Sequence, residues 1–166
     1  MTKKWLLPAA LIIVSIAFST ISSAQKMRPA APEIAAKAWI LIDANTGTVL
    51  LESNADKQLP PASLAKMMTT YLVSNEIEEG HLTEETEVLI SDNAWLLGGA
   101  KTDGSTMFLS ARSRVTVLDL MHGVIIQSGN DAAIALAEHV AGGEHAFADL
   151  MNQQAELLGM TNTQYM

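Results

Sequence analysis

The stretch Pro60-Pro61-Ala62-Ser63-Leu64-Ala65-Lys66-Met67-Met68-Thr69-Thr70-Tyr71-Leu72 decides how this chain is read. After Ser63, apolar side chains fall at Leu64, Met67, Met68, Tyr71 and Leu72, a spacing that predicts a helix with one buried face, ending near Gly80. The two prolines define its entry, because proline is accepted in a first helical turn and nowhere deeper. Ser63 and Lys66 lie three residues apart, so on a helix they share a face and come within reach of each other. The lysine is electrostatically misplaced, since the amino end of a helix carries partial positive charge. A capping box would place Glu there and satisfy two backbone amides. The same field lowers the pKa of the lysine, which is the condition for it to act as base beside a serine nucleophile. Two readings of the pair are open at this point: nucleophile and base, or a helix cap with a lysine snorkelling to water.

Composition narrows the chemistry. A chain of 166 residues is long enough for one domain with a core. It contains no cysteine, which excludes thiol nucleophiles, disulfides and cysteine-based zinc sites. His81, His122, His139 and His145 are scattered without a metal-ligand spacing, so no metal and no cofactor is expected. At the start, Lys3 and Lys4 precede an apolar run from Trp5 to Phe18, and Ser22-Ser23-Ala24 follows. That layout predicts a secretory signal peptide over residues 1–24, cleaved after Ala24, and hence a periplasmic protein. An uncleaved anchor fits less well, because the run is short for a membrane span and carries Pro8. Losing Lys3 and Lys4 with the leader takes the formal charge from −8 to −10. So acidic a body repels nucleic acid and anionic headgroups, so neither is an expected partner.

Residues 25–37 are polar and proline-containing, a short linker. Ala38 to Ile42 and Thr48 to Leu51 are strand-like runs around the turn-rich Asp43-Ala44-Asn45-Thr46-Gly47, which predicts an antiparallel hairpin. Both runs are continuously apolar, the pattern of a sheet covered on both faces. Glu76, Glu78 and Glu79 crowd the last turn of the Ser63 helix against its dipole, which predicts fraying. Val88 to Ile90 reads as a short strand and Gly98 to Ser105 as a flexible loop. A helix is predicted from Thr116, with Asp119 answering the cap and Leu118, Met121, Val124 and Ile125 as its apolar residues. Asp131 to Val140 is an alanine-rich helix stopped by Gly142-Gly143, and its small side chains suit a central, closely packed position. Phe147, Leu150, Met151, Leu157 and Leu158 mark a last helix, ended by Gly159.

Between two of these helices lies Gln127-Ser128-Gly129-Asn130-Asp131-Ala132-Ala133. Taken alone it is an ordinary helix–turn–helix joint, with Ser128 or Asn130 as a cap. Combined with Ser63-x-x-Lys66, the Ser128-Gly129-Asn130 triplet resembles the first two of three motifs shared by penicillin-binding proteins and class A β-lactamases. Ile42-Asp43-Ala44-Asn45-Thr46-Gly47-Thr48-Val49-Leu50, Asn93-Ala94-Trp95 and Ser105-Thr106-Met107-Phe108-Leu109 extend the likeness, and essentially everything after the linker resembles the low-molecular-mass serine D-alanyl-D-alanine carboxypeptidases.

The resemblance implies an α+β, penicillin-binding and β-lactamase-like fold, an antiparallel sheet flanked by helices with an inserted helical subdomain. It implies removal of the terminal D-alanine from peptidoglycan stem peptides through an acyl-enzyme, and reaction with β-lactams. Ser63 corresponds to the nucleophile, Lys66 to its base, Ser128 to the hydroxyl that relays a proton to the departing D-alanine, and Asn130 to a contact for substrate and Lys66. The chemistry of the residues agrees, because a serine attacking an amide needs an adjacent base, and a neutral lysine needs neighbours that keep it neutral.

The third motif, Lys-Thr-Gly, does not follow Ser128. Lys101-Thr102-Asp103-Gly104 precedes it and carries an inserted aspartate, so it reads as loop composition. Residues 38–166 are therefore expected to be the N-terminal part of a carboxypeptidase domain whose later strands are missing, with doubtful activity by itself, and the family's C-terminal membrane anchor has no counterpart. Two alternatives stand beside this reading. A class A β-lactamase would need a deacylating Glu-x-x-x-Asn after Ser128, and Glu138, Glu144 and Glu156 lie in helical runs instead. A non-catalytic exported protein would use Ser63 and Ser128 only as caps.

Overall fold

A computed structural model describes residues 30–166. The signal peptide reading of residues 1–24 and the first five residues of the linker lie outside the described residues. The chain divides after Gln58 into two compact units.

In the first unit, β1 (Trp39–Ile42) pairs antiparallel with β2 (Val49–Ser53), Trp39 opposite Ser53 and Leu41 opposite Leu51, with a bulge between Leu41 and Ile42. The hairpin is set by its turn. The Asp43 carboxylate accepts from the Thr46 hydroxyl and backbone N–H, each at 2.8 Å, an Asx-type arrangement, and Gly47 takes the left-handed φ of +70° that closes it. The Thr46 hydroxyl bond is the main reason the Asp43 carboxyl lies below the usual carboxylate range. Among the described residues this sheet has two strands, and its apolar side chains are not covered: Ile40 is 53% exposed and its neighbour Leu41 49%.

The second unit begins with Pro60 and Pro61, a tight turn at Ala62–Leu64, and helix α1 (Ala65–Glu78). The buried face of α1 is Met68, Thr69 and Val73, and differs from the expected one. Leu64, Met67 and Tyr71 point outward, because the apolar residues of this segment encircle the helix rather than form one stripe. The last turn, expected to fray, is capped in the structure. Gly80 N–H donates to Ile77 and His81 N–H to Glu76, closing a Schellman cap around Gly80 at φ +77°. His81 Nδ1 then lies 2.9 Å from Glu76 Oε2.

Two short strands, β3 (Glu87–Leu89) and β4 (Arg114–Thr116), form a second antiparallel pair. Between them run α2 (Asp92–Trp95), capped by Ser91, and a wide helical turn over Leu96–Ala100. The glycines read as flexible loop thus belong to a helical turn, and Gly98 is buried against the next-but-one helix. Helix α3 (Val117–Gln127) starts as expected, with Thr116 Oγ1 accepting from Asp119 N–H. Its buried residues are Val117, Leu120, Gly123 and Val124, while Ile125 is 64% exposed.

Helix α4 (Asn130–Ala141) follows after two residues, and α5 (Glu144–Leu157) after Gly142-Gly143. As its alanines suggested, α4 is central: it packs against α1, α2 and its following turn, α3, α5 and β3. Val73, Val88, Ile90, Leu120 and Leu136 anchor one core cluster, and Met68, Ala137, Phe147 and Met151 anchor a second between α1, α4 and α5.

The closeness of α4 to its neighbours sets a test. A Cβ on Gly98 would collide with the Asp131 backbone, whereas a Cβ on Gly123 would meet first the flexible end of Met107. Gly98→Ala is expected to destabilise by about 1–3 kcal/mol or more, and Gly123→Ala by less. Urea unfolding of the two variants measures the order; equal midpoints would contradict this packing.

Candidate active site

The joint between α3 and α4 is where the site is made. Ser128 ends α3 in the left-handed region at φ +56°, and Gly129 N–H folds back to Gly123 O at 2.9 Å. A serine in that conformation is uncommon, and here it turns the hydroxyl toward α1. On the α1 side, Ala62 is also left-handed, at φ +48°, immediately before Ser63. Such a conformation costs an alanine about 1–2 kcal/mol, and strained backbone of this kind gathers at functional positions.

The four side chains singled out in the sequence meet here. Lys66 Nζ donates to Asn130 Oδ1 at 2.6 Å and to Ser128 Oγ at 3.3 Å, and Ser128 Oγ donates to Ser63 Oγ at 3.0 Å. Ser63 and Lys66 were expected to touch; among the described residues their hydrogen-bonded link runs through Ser128. None of the hydroxyls is spent as a cap, since the N-termini of α1 and α4 carry no side-chain cap bond. Ser63 is exposed at the edge of an open cleft of about 600 Å³, whose wall includes Leu64, Met67, Val124 and Ile125.

Lys66 is half-buried, and that loss of hydration lowers its pKa below the ordinary lysine value. The direction is the one the sequence led us to expect. The opposing influence was not foreseen: the carboxylate of Asp131 pushes the pKa back up.

Asp131 and its partners are what sequence reasoning missed. The residue is fully buried, and its carboxylate accepts from Thr106 Oγ1 at 2.8 Å, Met107 N–H at 2.8 Å and Leu109 N–H at 3.0 Å. In sequence it resembles any acid in a first helical turn, where the dipole favours negative charge. Thr102, set aside as loop composition, accepts from Asn130 Nδ2 at 3.5 Å, and Gly104 leaves the room that amide occupies. Glu76, Glu79 and His81 are the one group among the described residues placed like metal ligands. They sit at the far end of α1, roughly 15–20 Å along the helix from Lys66 at about 1.5 Å per residue, and the helix cap already accounts for them.

A family model described as D-alanyl-D-alanine carboxypeptidase matches residues 25–166. The chain belongs to the D-alanyl-D-alanine carboxypeptidase family. It is 45% identical over 149 residues to the D-alanyl-D-alanine carboxypeptidase DacC of Escherichia coli, an alignment covering 89% of this chain and 37% of that protein. Among solved structures, the carboxypeptidase DacD from Francisella tularensis superposes with a TM-score of 0.74 at 46% identity, over 84% of this chain and 32% of the other. Penicillin binding protein 5 from Haemophilus influenzae gives 0.76 at 40% identity, over 82% and 39%. The fold of this chain is thus that of penicillin-binding proteins, mixed helix with small antiparallel sheets. The chain spans a little over a third of the length of DacC.

The depressed lysine makes a prediction about stability. Between the native pKa of Lys66 and its unfolded value of about 10.4, the unfolded chain binds more protons than the native one. The contribution of Lys66 to folding stability therefore rises with pH across that window. Urea midpoints measured against pH should show the rise, and Lys66→Met should flatten it.

Proposed function

We propose that the protein is a serine D-alanyl-D-alanine carboxypeptidase in which Ser63 is the nucleophile, Lys66 the base, Ser128 the proton relay and Asn130 a contact for Lys66 and substrate. The observation that carries this reading is the hydrogen-bonded line from Lys66 through Ser128 to Ser63, opening on a cleft. Membership in the carboxypeptidase family supplies the reaction class, and the names of its relatives supply the β-lactams that would acylate it.

At rest the donors all point toward Ser63: Lys66 donates to Ser128, and Ser128 donates to Ser63. Deprotonating Ser63 requires the opposite polarity, which a lysine short of one proton permits. Burial of Lys66 favours that state. Ser63 Oγ then attacks the carbonyl carbon of the penultimate D-alanine, and its proton passes by way of Ser128 to Lys66. In this reading the backbone N–H of Ser63, at the open end of the first turn, donates to the resulting oxyanion. Collapse breaks the C–N bond, and the proton returns along Ser128 to the amine of the leaving D-alanine. Water hydrolyses the ester, releasing the shortened peptide and restoring the Ser63 hydroxyl. Stem peptides of peptidoglycan are the substrate class, and export by the residue 1–24 leader places the enzyme in the periplasm, where they occur, with any membrane contact peripheral. No helix among the described residues is long and apolar enough to cross a membrane.

In a protein of the full length of its relatives, Ser63→Ala should abolish covalent labelling by a fluorescent penicillin while leaving thermal unfolding cooperative, because no cap is lost. Retained labelling in a folded Ser63→Ala protein would assign the nucleophile elsewhere. Lys66→Arg should be nearly inactive, since a guanidinium keeps its charge and does not release a proton. Near-parental labelling of the arginine variant would show that the site needs charge and not basicity.

A further inference from the structure

A buried ionisable group that the reaction scheme leaves unused sits one residue beyond Asn130. Asp131 is fully buried and lies at the first turn of α4, with both carboxylate oxygens engaged: Oδ1 by Met107 N–H and Ala132 N–H, Oδ2 by Thr106 Oγ1 and Leu109 N–H. Three of the four donors come from one short segment, Thr106–Leu109. Burying a carboxylate is costly unless such bonds replace its water, so the bonds and the burial depend on each other.

The same segment is what surrounds Asn130. Ser105 O accepts the Asn130 backbone N–H at 2.9 Å, and Thr102 Oγ1 accepts from its side-chain Nδ2. A Cβ on Gly104 would stand 2.5 Å from that Nδ2, so the turn forms a wall against the amide. With Nδ2 directed to Thr102, Oδ1 is left facing Lys66. An inverted amide would set two N–H donors against the lysine.

We propose that Asp131 is a positioning residue: its carboxylate clamps the Thr102–Leu109 segment onto the start of α4 and thereby holds Asn130 in the orientation that engages Lys66. This rests on Lys66 being the base of the proposed reaction. It goes beyond that scheme in assigning the geometry of Asn130 to a side chain that touches neither substrate nor nucleophile. The carboxylate also acts on Lys66 through its field. The other ionisable groups on helices packed against α1 are Asp119 and His122 on α3, Glu138 and His139 on α4, and Glu144, His145, Asp149 and Glu156 on α5. All but Glu138 are exposed, and Glu138 is bonded by Asn93 two turns further along α4. Water screens those charges, whereas Asp131 is unscreened.

The test is the titration of Lys66 itself, followed by NMR in lysine-labelled protein, with penicillin labelling rate and thermal unfolding measured on the same samples. Asp131→Asn puts an N–H₂ where two donors must be accepted and removes the charge. The Lys66 midpoint is expected to fall and labelling to slow by roughly 10²-fold, the scale of an ångström's misplacement. An unchanged Lys66 midpoint in folded Asp131→Asn overturns the proposal, since a purely structural aspartate would lower the melting temperature and leave the titration alone. Should Asp131→Asn fail to fold, Thr106 decides: Thr106→Val should lower the midpoint, and Thr106→Ser, which keeps the hydroxyl, should restore it. A Thr106→Val midpoint equal to the parent's overturns the proposal equally. Absence of labelling in the parent protein would count against the reaction assigned to Ser63, and the Lys66 comparison would still be read without it.

Discussion

The site depends on how closely other segments approach α4. Gly98 lies against the Asp131 backbone with no room for a side chain, and Gly123 of α3 faces Ala132 across a gap that a Cβ would nearly close. Close-packed interiors transmit small volume changes, so these glycines and the alanines of α4 set where its N-terminus stands. That N-terminus carries Asn130 and follows directly on Ser128. The distances of the hydrogen-bonded line to Ser63 are therefore consequences of helix packing, not of local loop preference.

A second feature is the balance at Lys66. Partial burial favours its neutral form and the Asp131 carboxylate favours its charged form. Burial is the larger of the two influences, so the lysine stays below its ordinary pKa. The arrangement also explains why the lysine can stand near the positive end of α1: Asn130 Oδ1 and Ser128 Oγ accept its N–H groups where water otherwise would.

Both serines sit beside unusual backbone. Ala62 precedes Ser63 at positive φ, and Ser128 itself adopts the left-handed region. Neither position carries glycine, the residue that would relieve the conformation at least cost. At Ser128 the reason is visible, because glycine would delete the hydroxyl that joins Lys66 to Ser63.

Much of this was determined by sequence. Ser63-x-x-Lys66 with Ser128-Gly129-Asn130 named the four side chains that meet, and the helices at Thr116, at the alanine run and at Phe147 appear where their caps and glycines put them. Short-range signals of this kind are written in adjacent residues. The tertiary structure alone decided the rest. The α1 segment is apolar on several sides, so its periodicity did not single out Met68, Thr69 and Val73 as the buried set. Glycines at 98 and 99 signal a loop by composition, yet they lie in a helical turn, and at Gly98 the backbone of α4 leaves no room for a side chain. The last turn of α1 is closed at Gly80 by two backbone bonds that carboxylate crowding in the sequence did not announce. Asp131 was invisible as a site residue for the same reason: three of its four partners lie 22 to 25 positions away, and a carboxylate's role is set by which donors the fold brings to it.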